Sequence, residues 1–171
     1  MFRLTLASAA LAGVIAGVAS VAAGERDQVT LVPASIKQIE AEIAKHKGKI
    51  VIVDLWADFC VPCKQEFPNL VRLHQEHAKD GLVCISVSID DLDDQAKALK
   101  FLKSKGATFA NFIVDEPKAD AAQVHWDFSG VPVVLIYGRD GKLAKRFTND
   151  DPCTQFTYKD VEKFLAPLLK Q

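Results

Sequence analysis

Residues 51–68 of the chain read VIVDLWADFCVPCKQEFP, and most of the fold prediction rests on this stretch. The run 49–56 predicts a buried strand, because its interior is apolar at every position except Asp54. Residues 60–80 predict a helix that follows almost at once. The two cysteines of the CVPC motif therefore lie where a buried strand gives way to a helix.

This position gives the two cysteines different chemistry. The first turn of a helix has free N–H groups and a partial positive charge, and both stabilise a thiolate on Cys60. Cys60 is therefore the expected nucleophile. Pro62 is tolerated in the first helical turn, where its missing N–H is not needed. Cys63, one turn deeper, is placed to attack a mixed disulfide on Cys60 and release the product.

The rest of the chain alternates between segments with a helix pattern and segments with a strand pattern. Ser35 is a good N-cap for a helix that carries Ile36, Ile39 and Ile43 at helical spacing. Asp140 and Gly141 predict a hairpin turn into a strand over 142–147. The remaining predicted strands are 82–89, 111–114 and 131–137, and the remaining helices are 93–105, 119–126 and 158–170. This order predicts one α/β domain with helices around a mixed sheet.

The chain resembles the thioredoxin superfamily. Residues 51–68 match its active-site signature of apolar strand, Trp, CxxC, Lys and an intrahelical Pro, and Gly130-Val131-Pro132 resembles its cis-proline loop. A leader segment, Glu66 in CKQEFP, and an extra helix and strand before the proline make it similar to the exported TlpA/ResA-like branch. The resemblance implies a thioredoxin-like fold, a central mixed β-sheet flanked by helices, with that helix–strand insertion before the cis-proline strand.

The resemblance also implies how a substrate binds. Pro132 is expected to be cis and to lie beside Cys60. The backbone of Val131 is expected to pair with an extended substrate segment as a short β-bridge. Val61 and Pro62 between the cysteines join this substrate-binding group. Trp56 is counted with the group as well, and it is expected to pack beside the active site and shape it.

Two carboxylates are candidates for the proton acceptor of Cys63. Asp54 lies in an apolar strand, where an idle buried carboxylate is costly. In thioredoxins an Asp at this position serves the second cysteine. The TlpA/ResA-like branch often uses instead a Glu three residues after that cysteine, which is Glu66 here. This chain has both, so the sequence leaves open which acid serves Cys63, and Glu66 also fits a solvated helix residue.

The N-terminal residues predict a targeting sequence. Arg3 precedes an uncharged apolar stretch that ends in small residues, the pattern of a secretory signal peptide over 1–23, with 24–171 as the functional domain. The alternative is an uncleaved membrane anchor, because the stretch is about long enough to cross a bilayer. Either form exports the domain to an extracytoplasmic compartment, such as the periplasm, where disulfides persist.

The charge balance and the two remaining cysteines reduce the range of functions that fit the chain. Lysine and arginine number 21 against 22 aspartates and glutamates, which argues against a nucleic-acid partner. Of the other two cysteines, Cys84 alternates with serines on a strand and is expected to be a small buried residue. Cys153 lies in a predicted loop and fits a free thiol, a link to another chain or a second redox site. A Cys84–Cys153 bridge stays possible, because sequence cannot assign connectivity.

Together these features predict an exported thiol–disulfide oxidoreductase whose redox-active pair is Cys60 and Cys63. Val61 and Pro62 offer no side-chain donor to a thiolate, which favours a reductase over an oxidant. The resemblance implies exported disulfide-containing proteins as substrates, including apocytochromes c, and recharging by a membrane reductant carrier. No organic cofactor and no obligatory metal are called for. The alternative is a Sco-like copper carrier using the same thiols, although that pattern is CxxxC and only His125 lies near the Pro132 loop.

Overall fold

The computed structural model describes residues 28–118, 120–151, 153 and 155–170. The predicted leader 1–23 lies outside these residues. Short 3-10 turns occupy Ala78–Asp80 and Leu92–Asp94. The strands and helices are β1 Val32–Ala34, α1 Ile36–Lys45, β2 Ile50–Trp56, α2 Val61–His77, β3 Leu82–Ser88, α3 Gln95–Lys105, β4 Ala110–Val114, α4 Ala121–Trp126, β5 Val133–Tyr137, β6 Leu143–Thr148 and α5 Tyr158–Leu169.

The six strands form one mixed sheet in the order β1-β4-β3-β2-β5-β6. Strands β1, β4, β3 and β2 run parallel, and β5 and β6 are antiparallel to their neighbours. β2 lies at the centre between β3 and β5, and all seven of its residues are buried. A strand covered on both faces must be apolar on both faces, which explains the unbroken run that precedes the CVPC motif.

Each face of the sheet carries its own apolar core. On one face, Ile52 and Trp56 of β2 pack with residues of α2, α3 and α5, among them both cysteines of the CVPC motif. On the other face, Val53 and Leu55 pack with residues of α1 and α4. Side chains alternate along a strand, so Asp54, between Val53 and Leu55, points to the first face, the side of α2 and α5.

The predicted fold class is confirmed, since a mixed β-sheet is flanked by helices on both faces. Along the chain, α3, β4 and α4 lie between β3 and β5. Ser35 caps α1 in a capping box with Gln38, as expected. Among the described residues, none of the helices has the length and apolar character needed to cross a membrane.

Most boundaries differ from the prediction by one or two residues, and some of the differences have a visible cause. The helix over 60–80 ends at His77 and tightens into a 3-10 turn before Gly81, and the helix over 93–105 likewise begins with a 3-10 turn. β5 begins at Val133 rather than at 131, since Pro132 has no N–H for the ladder. The last helix includes Pro167 and ends at Leu169, one residue before its predicted end.

Candidate active site

Cys60 is the N-cap of α2, immediately after the loop that follows β2. It forms a disulfide with Cys63, one helical turn on, and their Cα atoms are 5.3 Å apart. The peptide N–H of Cys63 points at the Cys60 sulfur, with the nitrogen 3.2 Å from Sγ. Pro62 occupies the first turn, where no N–H is required. A free amide of the helix start therefore points at the sulfur of Cys60, as the sequence predicts.

The disulfide is recessed beneath an apolar rim. Cys60 is 6% exposed and Cys63 is 3% exposed. The two residues that flank Cys60 are largely open to solvent, with Phe59 at 72% and Val61 at 62% exposed. Pro62 is also exposed. A partner that reaches the disulfide therefore meets apolar side chains first.

The proline loop lies beside the first cysteine. The Val131–Pro132 peptide bond is cis, which confirms the expectation from the sequence. The carbonyl oxygen of Val131 is 3.6 Å from the Cys60 sulfur. Val131 and Pro132 are both half-buried, directly before the first residue of β5. The structure thus brings the loop and the CVPC motif together, although they are 71 residues apart in the chain.

Asp54 is a buried carboxylate with a specific partner. It is 4% exposed, and its Oδ2 atom accepts a hydrogen bond from the hydroxyl group of Tyr158. Burial raises the pKa of Asp54 to about 7, the hydrogen bond from Tyr158 opposes this rise, and the nearby charge of Glu66 adds to it. Asp54 is therefore poised to gain or lose a proton near neutral pH.

Glu66 is not a solvated helix residue. It is half-buried on α2, and its Oε2 atom accepts hydrogen bonds from the peptide N–H of Tyr158 at 3.0 Å and from Asn69 at 3.2 Å. Its charge acts on the Asp54 carboxyl group. The two candidate acids of the sequence analysis thus belong to one group, which Tyr158 joins.

Tyr158 is the residue of this group that the sequence analysis missed. It is the first residue of α5, 3% exposed, and it lies within the capping box formed by Thr157 and Asp160. That capping box marks the start of a helix in the sequence, and the buried side of its first turn is readable from the amphipathic pattern. Nothing in the pattern states that this side meets Asp54, because the two residues are 104 positions apart.

Trp56 requires a correction. It is fully buried, so its side chain does not contact a substrate at the surface as the substrate-binding group implied. Its ring packs against Phe67 and Phe101, with ring centroids 5.4 Å and 5.0 Å away. Among the described residues its indole Nε1 has no hydrogen-bond partner. Trp56 therefore supports the site from below through packing.

The other two cysteines are free thiols and do not bridge one another. Cys84 is 1% exposed on β3, which confirms that it is a small buried residue. Burial, and next the charge of Asp54, raise the pKa of the Cys84 thiol far above its ordinary range, so it is not a nucleophile. Cys153 is exposed, and its peptide N–H is bonded to Asp151.

The metal alternative finds no support in the geometry. His125, the candidate third ligand, is exposed and lies 3.1 Å from a carboxylate oxygen of Glu40. Across the part of the chain that the structure describes, no group of three His, Cys, Asp or Glu side chains is placed to hold a metal ion. The thiols of Cys60 and Cys63 are bonded to each other instead.

A CxxC disulfide at a helix start, beside a proline loop on a mixed sheet, is the arrangement of thioredoxin-like proteins. The thioredoxin-like family model matches residues 48–143, which is more than half of the chain. The chain belongs to this family.

Relatives define its branch. The chain is 29% identical to the thiol:disulfide interchange protein HelX of Rhodobacter capsulatus, over 88% of this chain and 78% of HelX. It is 28% identical to the thiol-disulfide oxidoreductase ResA of Bacillus subtilis, over 63% of this chain and 57% of ResA, so it spans little more than half of ResA. The protein is a thiol–disulfide oxidoreductase of the TlpA/ResA-like branch.

The fold is similar to that of solved structures as well. A secreted disulfide oxidoreductase from Mycobacterium tuberculosis superimposes with a TM-score of 0.58 at 16% identity. The superposition covers 73% of this chain and 86% of that one. At this identity the likeness concerns the fold alone, and it agrees with the mixed sheet and flanking helices described above.

Proposed function

We propose that this protein is an exported reductase of protein disulfides, with Cys60 as nucleophile and Cys63 as resolving thiol. One observation carries the assignment of roles. The N–H of Cys63 points at the Cys60 sulfur from the first turn of α2, whereas Cys63 lies deeper. A thiolate at Cys60 gains from that amide and from the helix dipole, and thiolates are the attacking species.

The reaction balances without a cofactor. The Cys60 thiolate attacks one sulfur of a substrate disulfide, and the other substrate sulfur leaves as a thiolate that takes up a proton. Cys63 then loses its proton and attacks the Cys60 sulfur, which expels the second substrate thiolate. The substrate gains two electrons and two protons, and the protein leaves with the Cys60–Cys63 disulfide.

Asp54 is our candidate for the acceptor of the Cys63 proton. Its side chain points to the same face of the sheet as Cys63, and its pKa of about 7 suits a group that takes up a proton near neutral pH and returns it. Glu66 acts on this carboxyl group through its charge. In this division of labour Asp54 is the base and Glu66 tunes it.

Substrate binding is assigned to the rim and the proline loop. Val61 and Pro62 are exposed next to Cys60, and the Val131 carbonyl is 3.6 Å from the Cys60 sulfur. An extended segment on either side of a substrate disulfide can pair with the backbone of Val131 at Pro132, while apolar side chains of the segment cover the rim. This geometry favours proteins over small disulfides as substrates.

The direction of electron flow follows from what surrounds the thiolate. Strong oxidants stabilise their reduced form, and Val61 and Pro62 provide no side-chain donor for that purpose. We therefore expect a reduction potential near that of thioredoxin, about −270 mV. A titration with glutathione or dithiothreitol, followed by Trp fluorescence, measures it. A value near about −120 mV would make the protein an oxidant and would overturn the proposed direction.

The physiological setting rests on the resemblance. We propose export by the leader over 1–23, recharging by a membrane reductant carrier, and exported disulfide proteins as substrates, including apocytochromes c before haem attachment. The relationship to HelX and ResA supports the chemistry of this setting, since both are named for thiol–disulfide exchange.

Two serine variants test the roles of the cysteines. Cys63→Ser should accumulate a mixed disulfide between Cys60 and its natural partner, because the resolving thiol is gone. Cys60→Ser is the matched control and should trap nothing. The trapped species is separated by non-reducing electrophoresis and identified by mass spectrometry. Equal trapping by the two variants would show that Cys60 is not the attacking thiol.

A further inference from the structure

Tyr158 contacts both candidate acids, and the mechanism proposed above assigns it no role. Its hydroxyl group donates a hydrogen bond to Asp54, and its peptide N–H donates one to Glu66 at 3.0 Å. The residue is 3% exposed, and its ring belongs to the same apolar core as Cys60 and Cys63. A single residue of the C-terminal helix therefore joins both carboxylates that lie behind the redox pair.

The groups that face Asp54 come from three elements. α5 contributes the Tyr158 hydroxyl, α2 contributes Glu66, and β3 contributes the neutral thiol of Cys84. Within this set Tyr158 is the donor that favours a charged Asp54, whereas burial and the Glu66 charge oppose it. The balance between the charged and the protonated form of Asp54 thus depends on one hydroxyl group.

We propose that Tyr158 is a positioning residue of the exchange reaction: its hydroxyl group holds the Asp54 carboxylate in place, in the charged form that accepts the Cys63 proton. This proposal rests on the proposed function, in which Asp54 serves Cys63. Tyr158 touches neither the substrate nor the reacting sulfurs and acts through Asp54. Its peptide N–H keeps Glu66 in the same group, so α5 is part of the proton-transfer machinery.

The proposal predicts a displaced pH profile. Tyr158→Phe keeps the ring in the core but removes the donor, so burial and Glu66 act on Asp54 unopposed. Loss of a hydrogen bond to a charged carboxylate should raise the pKa of Asp54 by about one unit. A rise of that size, from a pKa of about 7, lowers the charged fraction of Asp54 at pH 7 from about one half to about one tenth. The step that needs the carboxylate slows about fivefold at that pH.

The experiment separates the two chemical steps. The reduced full chain carrying Cys153→Ser is mixed with the aromatic disulfide 5,5′-dithiobis(2-nitrobenzoate) in a stopped-flow instrument. The Cys153→Ser change removes an exposed free thiol that would also release coloured thiolate, and all variants below carry it. The first coloured thiolate reports the attack by Cys60, and the second reports the attack by Cys63. Both phases are recorded between about pH 6 and pH 9. For Tyr158→Phe we expect an unchanged first phase and a second phase whose midpoint lies about one pH unit higher.

Two comparisons distinguish a proton-transfer role from a structural one. Tyr137→Phe is the matched control, because Tyr137 is buried in the core on the opposite face of the sheet. It should leave both phases unchanged. In an Asp54→Asn background the added Tyr158→Phe change should have no further effect on the midpoint, since the group on which Tyr158 acts is absent.

A fluorinated tyrosine provides a variant that leaves the fold intact. Tyr158 and Tyr137 are the two tyrosines of the chain, so incorporation of 3-fluorotyrosine into Tyr137→Phe labels Tyr158 alone. The fluorinated phenol is a more acidic and stronger donor, and it should move the second midpoint to lower pH, opposite to Tyr158→Phe.

The outcomes are distinct. A missing first phase in the Cys153→Ser protein with Tyr158 intact would overturn the proposed function, and this proposal with it. Two normal phases with midpoints that neither Tyr158 change moves would overturn the role of Tyr158 alone. A Tyr158→Phe protein that is slower in both phases at every pH, with or without Asp54, would show that the residue is merely structural.

Discussion

Replacing Asp54 with Asn should stabilise the folded protein, and the gain should grow with pH. In the unfolded chain the carboxyl group has its ordinary pKa of 3.8, and in the fold burial raises the pKa to about 7. Asparagine is close in size and also accepts the Tyr158 hydrogen bond, but it cannot ionise. The variant therefore keeps the contacts of the protonated acid and removes the cost of its charge.

The sign follows from which state releases its proton first. As pH rises above about 4, the unfolded chain loses the Asp54 proton while the fold retains it, so the stability of the unmodified protein falls. The loss is complete just above pH 7, where the folded carboxyl group ionises as well. Three pH units at about 1.4 kcal/mol each give a total of about 4 kcal/mol.

The assay is urea unfolding of the oxidised protein at pH 5 and at pH 8. From the same two pKa values, we expect Asp54→Asn to be more stable by about 2 kcal/mol at pH 5 and by about 4 kcal/mol at pH 8. Asp93→Asn, at an exposed position, is the control for the general effect of removing a carboxylate. A stability difference that is the same at both pH values would refute the assignment of Asp54 as a buried acid titrating near neutrality.

The other predictions concern the surroundings of Asp54 and two structural devices. Glu66→Gln retains an acceptor for the Tyr158 N–H but removes a negative charge, so the midpoint of the Cys63 phase should move to lower pH; a move to higher pH would contradict the charge argument. Phe67→Ala should lower the free energy of unfolding by about 3–5 kcal/mol and change the fluorescence of Trp56, measured in urea; a loss below about 1 kcal/mol would show that this ring is not a core contact. Ser35→Ala removes the capping box of α1 and should cost about 1 kcal/mol in the same assay, whereas no loss would mean that the cap is energetically idle.

The local parts of this fold could be read from the sequence. Buried strands such as β2 and β3 are apolar runs bounded by Gly or a cap, and Ser35 marks a helix start, so their limits follow from short-range chemistry. β1 was missed. It has three residues, and it is a strand because Val32 and its neighbours pair with β4 some 80 positions later. No periodicity can develop in three residues.

The active site also has one part that the local sequence predicts and one part that depends on long-range contacts. Cys60 and Cys63 are one helical turn apart, and their unequal positions follow from a strand–helix junction that is visible in the sequence. The question of which acid serves Cys63 could not be settled there. The answer depends on Tyr158, which contacts Asp54 and Glu66 although these residues are 104 and 92 positions away in the chain. Such contacts depend on how α5 docks on the sheet, which no local pattern encodes.

The two outer strands of the sheet bear on how this protein avoids pairing with other chains through its sheet edges. An edge strand offers unpaired N–H and C=O groups on which another chain can build. β1 is only three residues long and contains Pro33, which lacks an N–H, and β6 carries the exposed charges of Lys145 and Arg146. Aggregation through either edge is therefore disfavoured. The proposed binding of extended substrate segments gains from this, because such a segment is left the short backbone at Val131 rather than an open sheet edge.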